Sequence, residues 1–188
     1  MLVLNVDTLL DYTAWERERW LNLFRAHKDS ALSVNLGPHG DGRFEVVGHI
    51  VRHVFSAEKR YVDRICGRSL TDTSAIPHLD VDALFRFGRK SREELRKLIA
   101  TFPDERWSEP LVMEMMGTKI HASPRDIIHH VLLHEIRHWA QIATILRLNG
   151  YSVGWHDFLF YATATPEAQS SSSVDSFDSA GDRGSDTH

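Results

Sequence analysis

The run from Ser123 to Gly150 constrains the fold most, because its two ends and the face between them are written in residues with defined helical roles. Ser123-Pro124-Arg125-Asp126 supplies an N-cap hydroxyl, a proline at the first helical position and a capping-box acid three residues after the cap. Asn149-Gly150 closes the far end as a C-cap pair. Between them Ile127, Val131, His134, His138, Gln141, Ile145 and Leu148 recur at steps of four and three, the seam of a bundle helix. A helix of about 25 residues is about 37 Å long.

Two imidazoles and an amide stand in that seam. His134 and His138 are four residues apart and lie roughly 6 Å from each other on one face, a spread that one metal ion can bridge. Burying such rings costs free energy unless their nitrogens are satisfied, and a metal satisfies them directly. Core histidines hydrogen-bonded to neighbours are the alternative. The string His134-Glu135-Ile136-Arg137-His138 also has the H-E-x-x-H form, in which the glutamate is the general base of a metallopeptidase. The extended peptidase pattern fails, however: position 141 holds Gln and position 144 Thr, and no acid lies between His138 and Asp157 to serve as a downstream ligand.

The rest of the chain reads as partner helices. Asp7 caps a first helix to about His27, with Leu10, Ala14, Leu21 and Phe24 on one face and Arg17 interrupting it. After the turn-rich Gly37-Pro38-His39-Gly40-Asp41-Gly42, a second helix is expected from about Phe44 to Cys66, ending at Gly67. The linker from Ser69 to His78 leads to Asp80, the cap of a third helix whose seam is Leu84, Gly88, Ser91, Leu95, Leu98 and Phe102. Small Gly88 and Ser91 leave room for something large opposite. Between the third and fourth helices, Leu111 to His121 reads as a small hairpin turning near Gly117-Thr118. The expected class is therefore all-α, a four-helix bundle with one long crossover before the last helix and a small β-hairpin there.

Composition bounds the function classes. The 188 residues carry a net charge of −4, and from Thr163 onward five acids against Arg183 account for all of it. The body is neutral, with no basic face to suggest nucleic acid. We expect a domain over residues 1–162 and a disordered, Ser/Asp-rich tail over 163–188. No apolar run approaches the ~20 residues of a membrane span. The N-terminus shows no basic region followed by a long apolar stretch, so no signal peptide is expected. The single Cys66 precludes an intramolecular disulfide, fits a cytoplasmic protein and reads as a helix-end residue.

The second helix offers the third ligand. His49 and His53 are four apart, but Val46, Ile50, His53, Ala57 and Tyr61 form the apolar stripe, while His49 aligns with Ser56 and Arg60 on its flank. His53 is thus the inward candidate. With His134 and His138 it would make a three-nitrogen site with open positions, the arrangement of catalytic metals. Glu58, one turn on, is a candidate to orient a ligand, or else a solvated helix charge. His130 could line the cavity, and His121 and His156 with Asp157 could reach it as acid–base groups; His27, His39, His78 and His188 read as surface residues.

These residues resemble the DinB/YfiT-like metal-dependent family over most of the body, roughly Leu9 to Tyr161. Leu9 to Trp15 looks like its first helix, His53 to Tyr61 like its second-helix ligand region, His130 to Gln141 like its fourth-helix motif, and Gly154 to Leu159 like the segment that follows. The resemblance implies that His53, His134 and His138 bind one divalent metal, commonly zinc or nickel, in a four-helix bundle that often forms a homodimer. The chain departs at Trp139-Ala140, where the family usually has Arg-Gly before the glutamine kept here as Gln141. Trp139 would instead pack at a dimer contact or in the core.

The resemblance further implies a transferase acting on a small-molecule substrate with a low-molecular-weight thiol such as glutathione, mycothiol or bacillithiol. A hydrolase of amide-like bonds and a non-catalytic metal- or ligand-binding protein are the alternatives. Arg137, Arg125, Arg52 and Arg60 are candidate cations for a thiol's anionic groups.

Overall fold

The computed structural model describes residues 5–163 apart from Lys28, Asp41 and Met116; the expected tail beyond Thr163 lies outside the described residues. The chain divides after Gly154 into two compact units. The first holds α1 (Val6–His27), the one-turn α2 (Asp29–Leu32), α3 (Val47–Ile65), α4 (Val81–Thr101), strands β1 (Leu111–Met115) and β2 (Thr118–Ala122), and α5 (Pro124–Leu148). The second contains α6 (Phe158–Thr163). No described helix is long and apolar enough to cross a membrane.

Local sequence rules set the ends of these elements. Ser123 accepts from the Asp126 amide while the Asp126 carboxylate accepts from the Ser123 amide, a complete capping box with Pro124 inside it. Asp80 caps α4 by accepting from the Ala83 amide. The strands pair antiparallel from Leu111 with Ala122 to Met115 with Thr118. Gly117, at φ 76°, takes the turn in the left-handed region that favours glycine. Cys66 is the exposed C-cap of α3. Helix α3 starts at Val47 rather than Phe44, because the preceding chain is drawn into a bridge between Asn35 and Val46. Leu148, read as part of the α5 seam, is 73% exposed at the last turn.

Helix directions follow from which residues pack together. Two apolar clusters fill the bundle, one around Trp20, Phe24, Phe55, Phe85 and Trp139, the other around Leu10, Tyr61, Leu95, Leu98 and Leu132. Helices α1 and α5 run from the second cluster to the first, and α3 and α4 run from the first to the second. Parallel α3 and α4 need a connection that returns along the bundle. The linker after α3 does this: Thr71 bonds Asp63, Arg52 donates to the carbonyls of Ser74 and Ile76, and a Cβ on Gly48 would overlap the His78 carbonyl.

Between the two clusters lies a charged layer built from one residue of each long helix: Arg17, Glu58, Arg92 and Glu135. Arg17 donates through Nε and Nη2 to Glu135 at 2.6 and 2.7 Å, and through Nη2 to Glu58 at 2.9 Å. Arg92 donates to Glu58 at 2.9 Å and Glu135 at 2.6 Å, and its remaining nitrogen reaches Thr13 and the Leu10 carbonyl. Arg17 also donates to the Gly88 carbonyl at 2.9 Å, and a Cβ on Gly88 would come within 2.9 Å of the Phe55 ring. The large occupants opposite Gly88 are therefore Phe55 and Arg17. The arginine that interrupts the apolar face of α1 is the centre of this layer.

A second buried acid borders the layer. Burial, with the nearby Glu135 charge, pushes the Glu16 carboxyl up to about 8, against a weaker opposing contribution from the Trp20 indole. Between pH 4.5 and 8 the folded chain thus holds a proton there that the unfolded chain has lost, and stability falls as pH rises through that window. Glu16→Gln removes the titrating group, so its unfolding free energy is expected to be flatter than wild type between pH 5 and 8 and higher by a few kcal/mol at pH 8. Denaturant unfolding across that range checks this, and parallel curves for the two proteins would refute it.

Candidate metal centre

The polar seam of α5 meets α3 on one side of the charged layer. His53 Nε2 lies 3.0 Å from His134 Nε2, and His138 Nε2 lies 3.1 Å from the same atom. The three side chains each turn a ligand atom to the others, all within 4.8 Å. His138 is buried and the other two are half-buried, so the group opens on one side. Spacings of this kind are within the spread that ligands at about 2.0–2.1 Å from one ion can have. Among the described residues this is the one cluster of three or more ligating side chains that could hold a metal ion.

The tautomer of His138 is fixed from outside. Gln141 donates its amide to the His39 carbonyl at 3.1 Å, which turns its Oε1 to His138 Nδ1 at 2.9 Å. That oxygen only accepts, so Nδ1 carries the ring proton and Nε2 presents a lone pair to the cluster. A proton on His134 Nε2 can then be donated to His138, but that nitrogen has no lone pair left for His53. The nitrogen–nitrogen contacts cannot all be good hydrogen bonds between neutral rings. A cation between the lone pairs removes the conflict, and the donor set fits a divalent metal.

His53 and His134 are neutral near pH 7. Burial, then the neighbouring His138 and the guanidiniums of Arg43 and Arg60, brings His53 down to about 4. Burial, then His138, His53, His130 and Arg137, brings His134 down to about 3. The same causes identify the cations that act on the site: Arg43, Arg60 and Arg137. Arg43, which sequence reasoning passed over, lies over the Phe44 ring, and Phe44 packs against both His53 and His138. Its position just before a histidine-bearing helix was the available clue.

Other candidates fall elsewhere. His49 accepts from the Glu45 amide and packs on His78, away from the cluster. Glu58 neither orients a histidine nor faces solvent; it is 1% exposed and committed to Arg17 and Arg92. His130 packs between Tyr61 and His134 without joining the ligand group, and His121 is exposed on β2. His156 and Asp157 belong to the unit that begins at Trp155. Of the candidate cations, Arg125 and Arg137 are exposed on α5 and Arg52 is half-buried on α3.

Glu135 decides the H-E-x-x-H question. Its neighbours at i−1 and i+3 face the cluster, but its own carboxylate is 1% exposed and accepts from Arg17, Arg92 and the Trp139 indole at 3.0 Å. Burial pushes this carboxyl up, yet the two guanidiniums hold it below its ordinary value. A carboxylate so committed is not a base for water at the histidines. Trp139 lies in the core, its ring stacked on Trp20 at 5.1 Å.

No curated protein matches the chain. The model of the DinB family matches residues 1–171, and with its helical bundle, hairpin and three-histidine cluster the chain belongs to the DinB family.

Proposed function

We propose that His53, His134 and His138 hold one divalent metal ion, zinc or nickel, and that the chain is a cytoplasmic transferase joining a low-molecular-weight thiol to an electrophilic small molecule. The observation that carries this reading is the convergence of three Nε2 atoms whose contacts neutral rings cannot satisfy. A metal there supplies Lewis-acid chemistry, lowering the pKa of a thiol or water that it takes as a further ligand. Gln141 holds the His138 tautomer, Phe44 covers one side of the rings, and Arg43, Arg60 and Arg137 make the surroundings positive. That potential favours an anionic co-substrate, as carboxylate-bearing thiols are, over a neutral one.

The test is consumption of an activated aryl chloride by zinc- or nickel-loaded protein. Turnover is expected only with thiol and metal together, and chelation or His134→Ala should return it to the uncatalysed rate. Turnover of amide or ester substrates with metal and water alone would replace this reading with a hydrolase.

A further inference from the structure

A second feature of α3 lies outside the histidine cluster. Arg52 and Arg60 flank an open polar cleft of about 370 Å³, bordered on its other side by the returning linker from Leu70 to Ser74. The linker is held firmly. Thr71 gives both its amide and its hydroxyl to the buried Asp63 carboxylate, and Arg52 spends one nitrogen on the carbonyls of Ser74 and Ile76.

The charges of the cavity are unbalanced. Asp72 lines it, but its carboxylate accepts from the Ser74 amide rather than from an arginine. Among the described residues, no carboxylate forms an ion pair with Arg52 or Arg60. Elsewhere on the same helix, and on the linker itself, Lys59 and Arg68 are neutralised by Asp63 and Glu94. Two guanidiniums beside a pocket with spare donors, supported by a fixed loop, present the forked geometry that matches an oxyanion.

One side of the cavity lies on the helix that carries His53. Arg60 stands seven residues after His53, nearly two full turns, so the two share a helix face about 10 Å apart along the axis. Arg52, one residue before His53, turns about 100° to the side. Around the helix axis Arg60 falls between Arg52 and His53, about 20° from the latter.

We infer that the cleft between Arg52, Arg60 and the Thr71–Ser74 loop is an oxyanion subsite, which grips a carboxylate or phosphate on a small molecule whose reactive end reaches the three histidines. The second half of that statement rests on the proposed metal site; the oxyanion grip does not. The substrate class that follows is an acid-bearing metabolite or thiol of extended shape, not a neutral or cationic one.

The experiment follows the arginine side-chain Nε–H resonances of ¹⁵N-labelled full-length protein, with the Arg52 and Arg60 peaks identified by their loss in Arg52→Gln and Arg60→Gln. Glutarate and inorganic phosphate are titrated separately at constant ionic strength, and metal content is measured on each sample. Saturable shifts of both peaks are expected, with affinity reduced tenfold or more in either variant and unchanged in Arg147→Gln. Tighter binding of glutarate identifies a carboxylate, and tighter binding of phosphate a phosphate group. Saturable binding in protein that takes up no metal would keep the subsite and remove the metal reading. Stoichiometric metal without saturable arginine shifts, or shifts that persist in both variants, would overturn the subsite.

Discussion

Arg17→Met is expected to lower the unfolding free energy by about 3–5 kcal/mol, the cost of leaving buried charge without its partner. Arg17, like Arg92, touches both carboxylates of the central layer, and both are about 1% exposed. Methionine fills much of the volume but leaves Glu58 and Glu135 to share Arg92, with the Gly88 carbonyl losing its donor. For a domain of this size the loss corresponds to a fall in Tm on the order of 10 °C. Arg25→Met is the matched control. Its partner Asp82 is 62% exposed, and solvent-screened pairs of that kind contribute little to stability. Thermal and urea unfolding of both variants checks the contrast, and equal small losses would mean that the layer is held by packing alone.

The position of that layer explains what could be read from sequence. Caps and periodicity are local properties, so the Ser123–Asp126 box, the Asp80 cap and the turn at Gly117 were legible from a few adjacent letters. The seam put His134, His138 and Gln141 on one face, and the stripe of α3 separated His53 from His49. The structure does bring His53, His134 and His138 together. Pairing between charges on four different helices is not local, and it escaped. Arg17 is 118 residues from Glu135, and Arg92 is 34 from Glu58. A charged residue at a core-facing position near the middle of each long helix was the available trace, visible on α1 as an interruption of an apolar face. The H-E-x-x-H string misleads for a related reason: its spacing specifies where the histidines point, but a residue next to a ligand turns about 100° away, here toward two arginines.

The metal affinities of three variants are expected to rank according to how directly each residue faces the cluster. His134 makes both of the short ring-nitrogen contacts, at 3.0 and 3.1 Å, so His134→Ala should abolish stoichiometric zinc or nickel. Gln141→Leu keeps all three rings but frees the His138 tautomer, and loss of such an orienting partner typically weakens metal binding by about 10–100-fold. His49→Ala should leave affinity unchanged, because that ring is occupied by the Glu45 amide and His78. Competition with a chromogenic chelator gives the affinities, and elemental analysis of protein purified without metal resin gives the stoichiometry. One equivalent retained in His134→Ala would place the metal elsewhere. Wild-type affinity in Gln141→Leu would show that the ring nitrogen facing the cluster is chosen by the metal itself, with the His39–Gln141–His138 chain a consequence of folding and not a preparation for binding.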